Sequence, residues 1–135
     1  MNVPPAELHA KITEELLEHH RFGDWNAKLG IEQGFHCIYC DRDFLASFDD
    51  YDSWQWDHVY PLSLDGDDTL ENIVVCCKAC NFLKRAYAPT GTTKAERIAD
   101  ARRYVQELRA LRESEVVAIR QLVRSSDAQP NTRHA

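Results

Sequence analysis

Apolar positions along this chain follow several distinct patterns, each predicting a different element. Leu8, Ile12 and Leu16 recur every four residues behind Pro4 and Pro5. That spacing predicts a helix from about Pro5 to His20 with its glutamate-rich face in water. Asp24 offers an N-cap and Gly34 a C-terminal stop for a short helix over Trp25 to Gln33, packed through Phe22, Trp25, Leu29 and Ile31. Trp54-Gln55-Trp56-Asp57-His58-Val59 alternates as a strand does, with both tryptophans on one face and Asp57 on the other. Ile73-Val74-Val75-Cys76 is a continuous apolar run of buried-strand length. Cys77 to about Tyr87 then starts a helix, which Pro89, Thr90 and Gly91 end.

The C-terminal third is helical by pattern. Thr93-Lys94-Ala95-Glu96 is a capping box, and Ile98, Ala101, Val105 and Leu108 mark an apolar stripe behind it. The stripe loses register over Arg112 to Glu115 and resumes at Val116, Ile119 and Val123, which predicts a bend or a second helix from Ser114. Phe35 to Cys40 reads as a strand or knuckle. Asp41 to Ser53 reads as a loop anchored by Phe44, Leu45, Phe48 and Tyr51, with an acidic rim of Asp49, Asp50 and Asp52. Tyr60 to Asn72 is turn-rich, with Pro61, Gly66 and Asp67-Asp68. Ser125 to Ala135 is polar and expected to be disordered. The expected organisation is an N-terminal helical extension (1–34), a core (35–91), a C-terminal amphipathic helix or helix pair (92–124) and a tail (125–135). The fold class is α+β.

Composition narrows the setting. With 135 residues, 44% hydrophobic and 28% charged, the chain has room for one domain with a modest core. No apolar run approaches a membrane span and no signal peptide opens the chain, so a cytoplasmic protein with no membrane partner is expected. The net charge of −6 at first argues against nucleic acid, but it is unevenly spread. Residues 1–77 carry 4 Lys/Arg against 16 Asp/Glu, whereas residues 78–124 carry 11 against 5. An acidic front and basic back fit a phosphate ligand approaching one side, and equally fit a solvated helix laced with charge. Lys78, Arg85, Arg97 and Arg102 are the candidates for nucleic-acid contact. On the long helix, Arg97, Arg102, Arg103 and Arg109 would serve docking or DNA backbone contact equally well.

Four of the five cysteines form two Cys-x-x-Cys pairs, Cys37/Cys40 and Cys77/Cys80, separated by 36 residues. Four thiolates at that spacing suit a closed tetrahedral structural Zn²⁺ better than redox chemistry, which has no use for two pairs. Cys76 alternates away from Cys77 and reads as a small core residue. Harder ligands lie close by. Asp57 offers a carboxylate and Asn81 an amide oxygen, suited to Mg²⁺ or Mn²⁺. His58 is an imidazole able to take a proton from water, and Lys84, on the helix face of Asn81, can hold a phosphate's charge. Singly these are a strand-end Asp, a packed His, a capping Asn and a solvated Lys; together, beside paired thiols, they describe a catalytic site. His19 and His20 are adjacent on a helix, so they point apart and read as surface residues.

Asp57-His58-Val59-x-Pro61, then Asn72, then Cys77-x-x-Cys80-Asn81-x-x-Lys84 resembles the HNH endonuclease motif of the ββα-metal nucleases, in the variant whose last letter is Asn. With Cys37/Cys40 the resemblance spans about residues 30–88. It implies two antiparallel strands and a helix around a metal, with a zinc knuckle, flanked here by N-terminal helices and a long C-terminal helix. It implies His58 as general base, Asp57 and Asn81 as catalytic metal ligands, and Asn72 as the residue that pins the loop and orients His58. DNA is the implied substrate, with 5′-phosphate and 3′-hydroxyl products. Where members often show Gly-Gly in the loop, this chain has Asp65-Gly66. Two other functions compete: a non-cleaving zinc module that binds nucleic acid or protein, and a nuclease subunit whose long helix docks on a partner or a second copy.

Overall fold

The computed structural model describes residues 5–19 and 23–126. The expectations for Pro4, His20, Phe22 and the tail from 127 lie outside those residues. The chain opens with α1 (Ala6–Glu18) and α2 (Asp24–Glu32), which pack on each other. Gly23 is the N-cap of α2 and Asp24 its first helical residue, so Asp24 does not cap it; no side chain does. The stop needs two left-handed residues, Gly34 (φ 65°) and Phe35 (φ 60°). Trp25 is 37% exposed rather than packed in the core, and stacks on Trp56 at 5.7 Å.

Residues 35–44 fold into a knuckle closed by a single bridge, His36 to Asp43. The loop expected over Asp41 to Ser53 contains a short helix, α3 (Phe48–Asp52). Ser47 causes it: its side chain accepts from the Asp50 N–H at 3.1 Å. Of the four expected anchors, Phe44 is fully buried and Tyr51 packs against the core, whereas Leu45 and Phe48 are exposed.

Strands β1 (Trp54–His58) and β2 (Ile73–Cys77) pair antiparallel, Trp54 opposite Cys77 and His58 opposite Ile73. Every residue of β2 is buried, which explains its unbroken apolar run. Its free edge is satisfied by a side chain: Gln33 donates to the Val75 carbonyl and accepts from the Val75 N–H, both at 2.9 Å. Cys77 then caps α4 (Lys78–Lys84). This helix stops three residues short of Tyr87 because Arg85 takes φ 48°.

The long helix α5 (Lys94–Ser125) opens on the expected capping box, with both reciprocal bonds between Thr93 and Glu96 formed. It is continuous over 32 residues, and the bend or restart expected at Ser114 does not occur. Residues 109–118 contain no Gly or Pro and are dominated by strong helix formers. The apolar stripe lapses because the helix leaves the core: Ala101 and Val105 are buried, while Leu111, Val116 and Ile119 are exposed.

Candidate active site and metal centre

The two ends of the β1–β2 hairpin carry different donor sets. At one end, the Sγ atoms of Cys37, Cys40, Cys77 and Cys80 all lie within 4.8 Å of one another. A tetrahedral Zn²⁺ with bonds of about 2.3 Å sets its sulfurs about 3.8 Å apart, and Cys40 and Cys77 are 3.8 Å apart. The backbone N–H groups of Tyr39 and Cys77 point at the Cys37 sulfur at 3.4 and 3.3 Å, and Arg109 reaches the Cys80 sulfur at 3.5 Å. These donors suit a thiolate cluster. The sulfurs also share protons unevenly. Hydrogen bonding with Cys37 pulls the Cys40 thiol down to about 7. Cys77 goes lower still, while Cys37 and Cys80 are pushed up. A divalent cation removes that conflict, so the four residues fit zinc. Cys76 faces away into the core, fully buried, and burial raises its thiol.

At the other end, Asp57 is 7% exposed and held from two sides. The Tyr39 hydroxyl donates to Oδ2 at 2.5 Å, and the Lys84 ammonium lies 3.3 Å from Oδ1 and 3.2 Å from Oδ2. Burial raises the Asp57 carboxyl above its usual range, with Lys84 and Tyr39 opposing the shift in part. Burial and the neighbouring Asp57 charge push the Tyr39 phenol well up. Lys84, expected at the surface to meet phosphate, is instead buried at 1% exposure and also donates to the His58 carbonyl at 3.2 Å. An aspartate taken out of water needs a cation beside it, and α4 delivers this one from beneath the strand.

His58 is accessible at the end of β1, its Nε2 2.9 Å from Asp68 Oδ1. Asn72 is buried and spans the loop: its Oδ1 accepts from the Tyr60 N–H, and its Nδ2 donates to the carbonyls of Tyr60 and Asp67. Gly66 sits in the same tight loop, where an added Cβ would lie 2.0 Å from the Tyr60 carbonyl oxygen. Asp65, at the position where a glycine pair is common, takes the left-handed conformation (φ 69°) that the turn requires. On α4, Asn81 donates to Gln55 Oε1 at 2.8 Å, which leaves its Oδ1 without a donor among the described residues.

The basic candidates are spread out and already engaged. Lys78 pairs with Asp52, Arg85 lies over the Phe82 ring, and Arg97 lies over Tyr60 while donating to the Gly91 carbonyl. Arg102 braces the knuckle through the Ile38 carbonyl and Asp41. Sequence patterns miss Tyr39, Gln55 and Asp68. Tyr39 could be suspected as the aromatic between two ligand cysteines, whereas nothing local ties Asp68 to His58 across ten residues. No helix among the described residues is long and apolar enough to cross a membrane. No curated protein and no solved structure matches the chain. Residues 37–86, which contain both ends of the hairpin and all of α4, match the family model described as HNH endonuclease.

Proposed function

We propose that this protein is a metal-dependent endonuclease hydrolysing DNA phosphodiester bonds, with His58 as general base and Asp57 and Asn81 as ligands of the catalytic cation. The observation that carries the proposal is the coincidence of the family match over 37–86 with the gathering of Asp57, His58, Asn72 and Lys84 at one end of the hairpin. Zinc at the four cysteines holds that hairpin to the knuckle.

Asp57 Oδ and Asn81 Oδ1 are hard oxygen donors, the chemistry that Mg²⁺ or Mn²⁺ takes. A carboxylate has about four lone-pair sites, so its bonds to Tyr39 and Lys84 leave acceptor capacity. A divalent ion bound there would neutralise charge growing on the phosphate during cleavage. Lys84 then orients Asp57 instead of gripping the substrate. His58 donates Nε2–H to Asp68, which leaves Nδ1 to accept a proton from the attacking water. Asn72, by fixing Tyr60 and Asp67, holds the loop that carries Asp68 beside the imidazole.

The test is cleavage of supercoiled plasmid and of single-stranded DNA with Mg²⁺, Mn²⁺ or chelator, wild type beside His58→Ala. Metal-dependent cleavage is expected to fall at least about 100-fold in the variant, with zinc content unchanged. A variant that cuts as fast as wild type removes the assignment of the base. A folded, zinc-loaded wild type that fails to cut with any of these metals replaces the enzyme with a binding module or a subunit that needs its partner.

A further inference from the structure

The outer third of α5 has no use in the nuclease proposal. Leu111, Val116, Ile119, Leu122 and Val123 are between 52% and 67% exposed, and Phe82 of α4 beside them is 57% exposed. Phe82, Leu83, Val116 and Ile119 line a groove of about 700 Å³ where the arm leaves the core. A contiguous apolar face of this kind on an otherwise charged helix marks an interaction surface. Val116, Ile119 and Val123 follow the three-then-four spacing of a helix-pairing seam.

The charges along the arm select the occupant. Arg112, Glu113 and Glu115 precede the seam's midpoint and Arg120 and Arg124 follow it, with Glu115 flanking the seam on one side and Glu113 and Arg120 on the other. Two arms laid antiparallel, with Val116 of one against Ile119 of the other, bring Arg120 of each beside Glu113 of the other, twice by symmetry. A parallel pair in the same register sets Glu115 of each arm beside Arg120 of the other, so a second copy meets opposite charge in either orientation. The same patch is therefore self-complementary about a two-fold axis. The arms alone form a short seam, and Phe82 and Leu83 widen the apolar area beside it.

We propose that the distal part of α5, together with Phe82 of α4, docks against the same surface of a second copy of this chain. The test is the mass of the full-length, zinc-loaded protein by light scattering at tens of micromolar. Wild type is expected at twice the 15.6 kDa chain mass, and Ile119→Glu, a change at an exposed position, at one chain mass. Glu113→Arg with Glu115→Arg is also expected to give one chain mass, and adding Arg120→Glu to restore the doubled mass. A monomeric wild type overturns the proposal and leaves the face to a different protein. A dimer indifferent to Ile119→Glu, or one that the charge exchange does not restore, overturns it as well. None of these masses depends on whether the protein cuts DNA.

Discussion

The Trp54–Cys77 end and the His58–Ile73 end of one short hairpin lie roughly 13 Å apart along the strands, yet they are built on opposite principles. At the thiol end, four identical soft donors converge, three of them fully buried, and nothing is left open for a substrate. At the other end the donors are unlike one another and unequally buried. Asp57 is sealed against Lys84 and Tyr39, and His58 faces outward to Asp68. The closed end offers a single cation a complete set of donors. The open end draws its geometry from neighbours that fix each group separately, so it tolerates the loss of any one differently.

Stripping the thiol end has the largest expected effect. Structural zinc contributes about 10–16 kcal/mol in small zinc domains, and here Cys37 and Cys77 are themselves part of the core. Chelation strong enough to remove zinc should abolish the cooperative thermal transition followed by tryptophan near-ultraviolet circular dichroism. A zinc-free chain that still melts cooperatively would break the contrast, because the closed end would then be dispensable for folding.

Next comes the buried pair at the open end. Lys84→Met leaves the Asp57 charge uncompensated and should cost about 3–5 kcal/mol in denaturant unfolding. Asp57→Leu combined with Lys84→Met should recover most of that stability and none of the proposed cleavage. The pH dependence has a definite sign. Because burial raises the folded-state carboxyl of Asp57, its favourable contribution is complete below the ordinary aspartate range. That contribution is lost as pH rises through the raised folded value. Asp57→Asn should remove that part of the slope when the denaturant midpoint is followed with pH; an unchanged slope would mean the carboxyl is not the group responsible.

The contrast also explains what could be read from sequence. Paired thiol spacing, strand alternation about Asp57 and the Thr93/Glu96 box each lie within a few residues and report local geometry directly. The burial of Lys84 escapes sequence reading because helix spacing shows which face it shares with Asn81, but not that this face is roofed by β1. Tyr39 to Asp57 and Gln33 to Val75 join residues 18 and 42 positions apart, and no periodicity encodes either. The stripe lapse near Arg112 was a true signal with a different cause: the helix continues where its packing partner ends. Short α3 was hidden because a single capping serine decides it.

Gly66→Ala probes the loop that joins the two strands. The new Cβ would meet the Tyr60 and Pro61 carbonyls at 2.0 and 2.8 Å, too close without moving the loop backbone. A cost of about 1–3 kcal/mol is expected, comparable with overpacking elsewhere in proteins. Zinc content should stay unchanged while cleavage falls, since the displaced segment carries Asp67 and Asp68 but no cysteine. Loss of zinc in this variant would mean that the two ends are mechanically coupled after all.

Asp68→Ala should have the smallest effect on stability and is the sharpest probe of the open end. The residue is largely exposed, and its pair with His58 resembles surface ion pairs worth about 0–1 kcal/mol. Thermal melting and zinc content should therefore match wild type. Its use lies elsewhere: as acceptor for Nε2–H it keeps the imidazole in the tautomer that leaves Nδ1 free. The rate of metal-dependent cleavage should fall in Asp68→Ala and be largely restored in Asp68→Asn, whose amide oxygen can still accept. A positioning role requires that difference between the two variants, whereas a mere charge effect would slow both alike. Equal slowing would leave Asn72 and the loop as the only restraint on His58, and the open end would be simpler than its hydrogen bonds suggest.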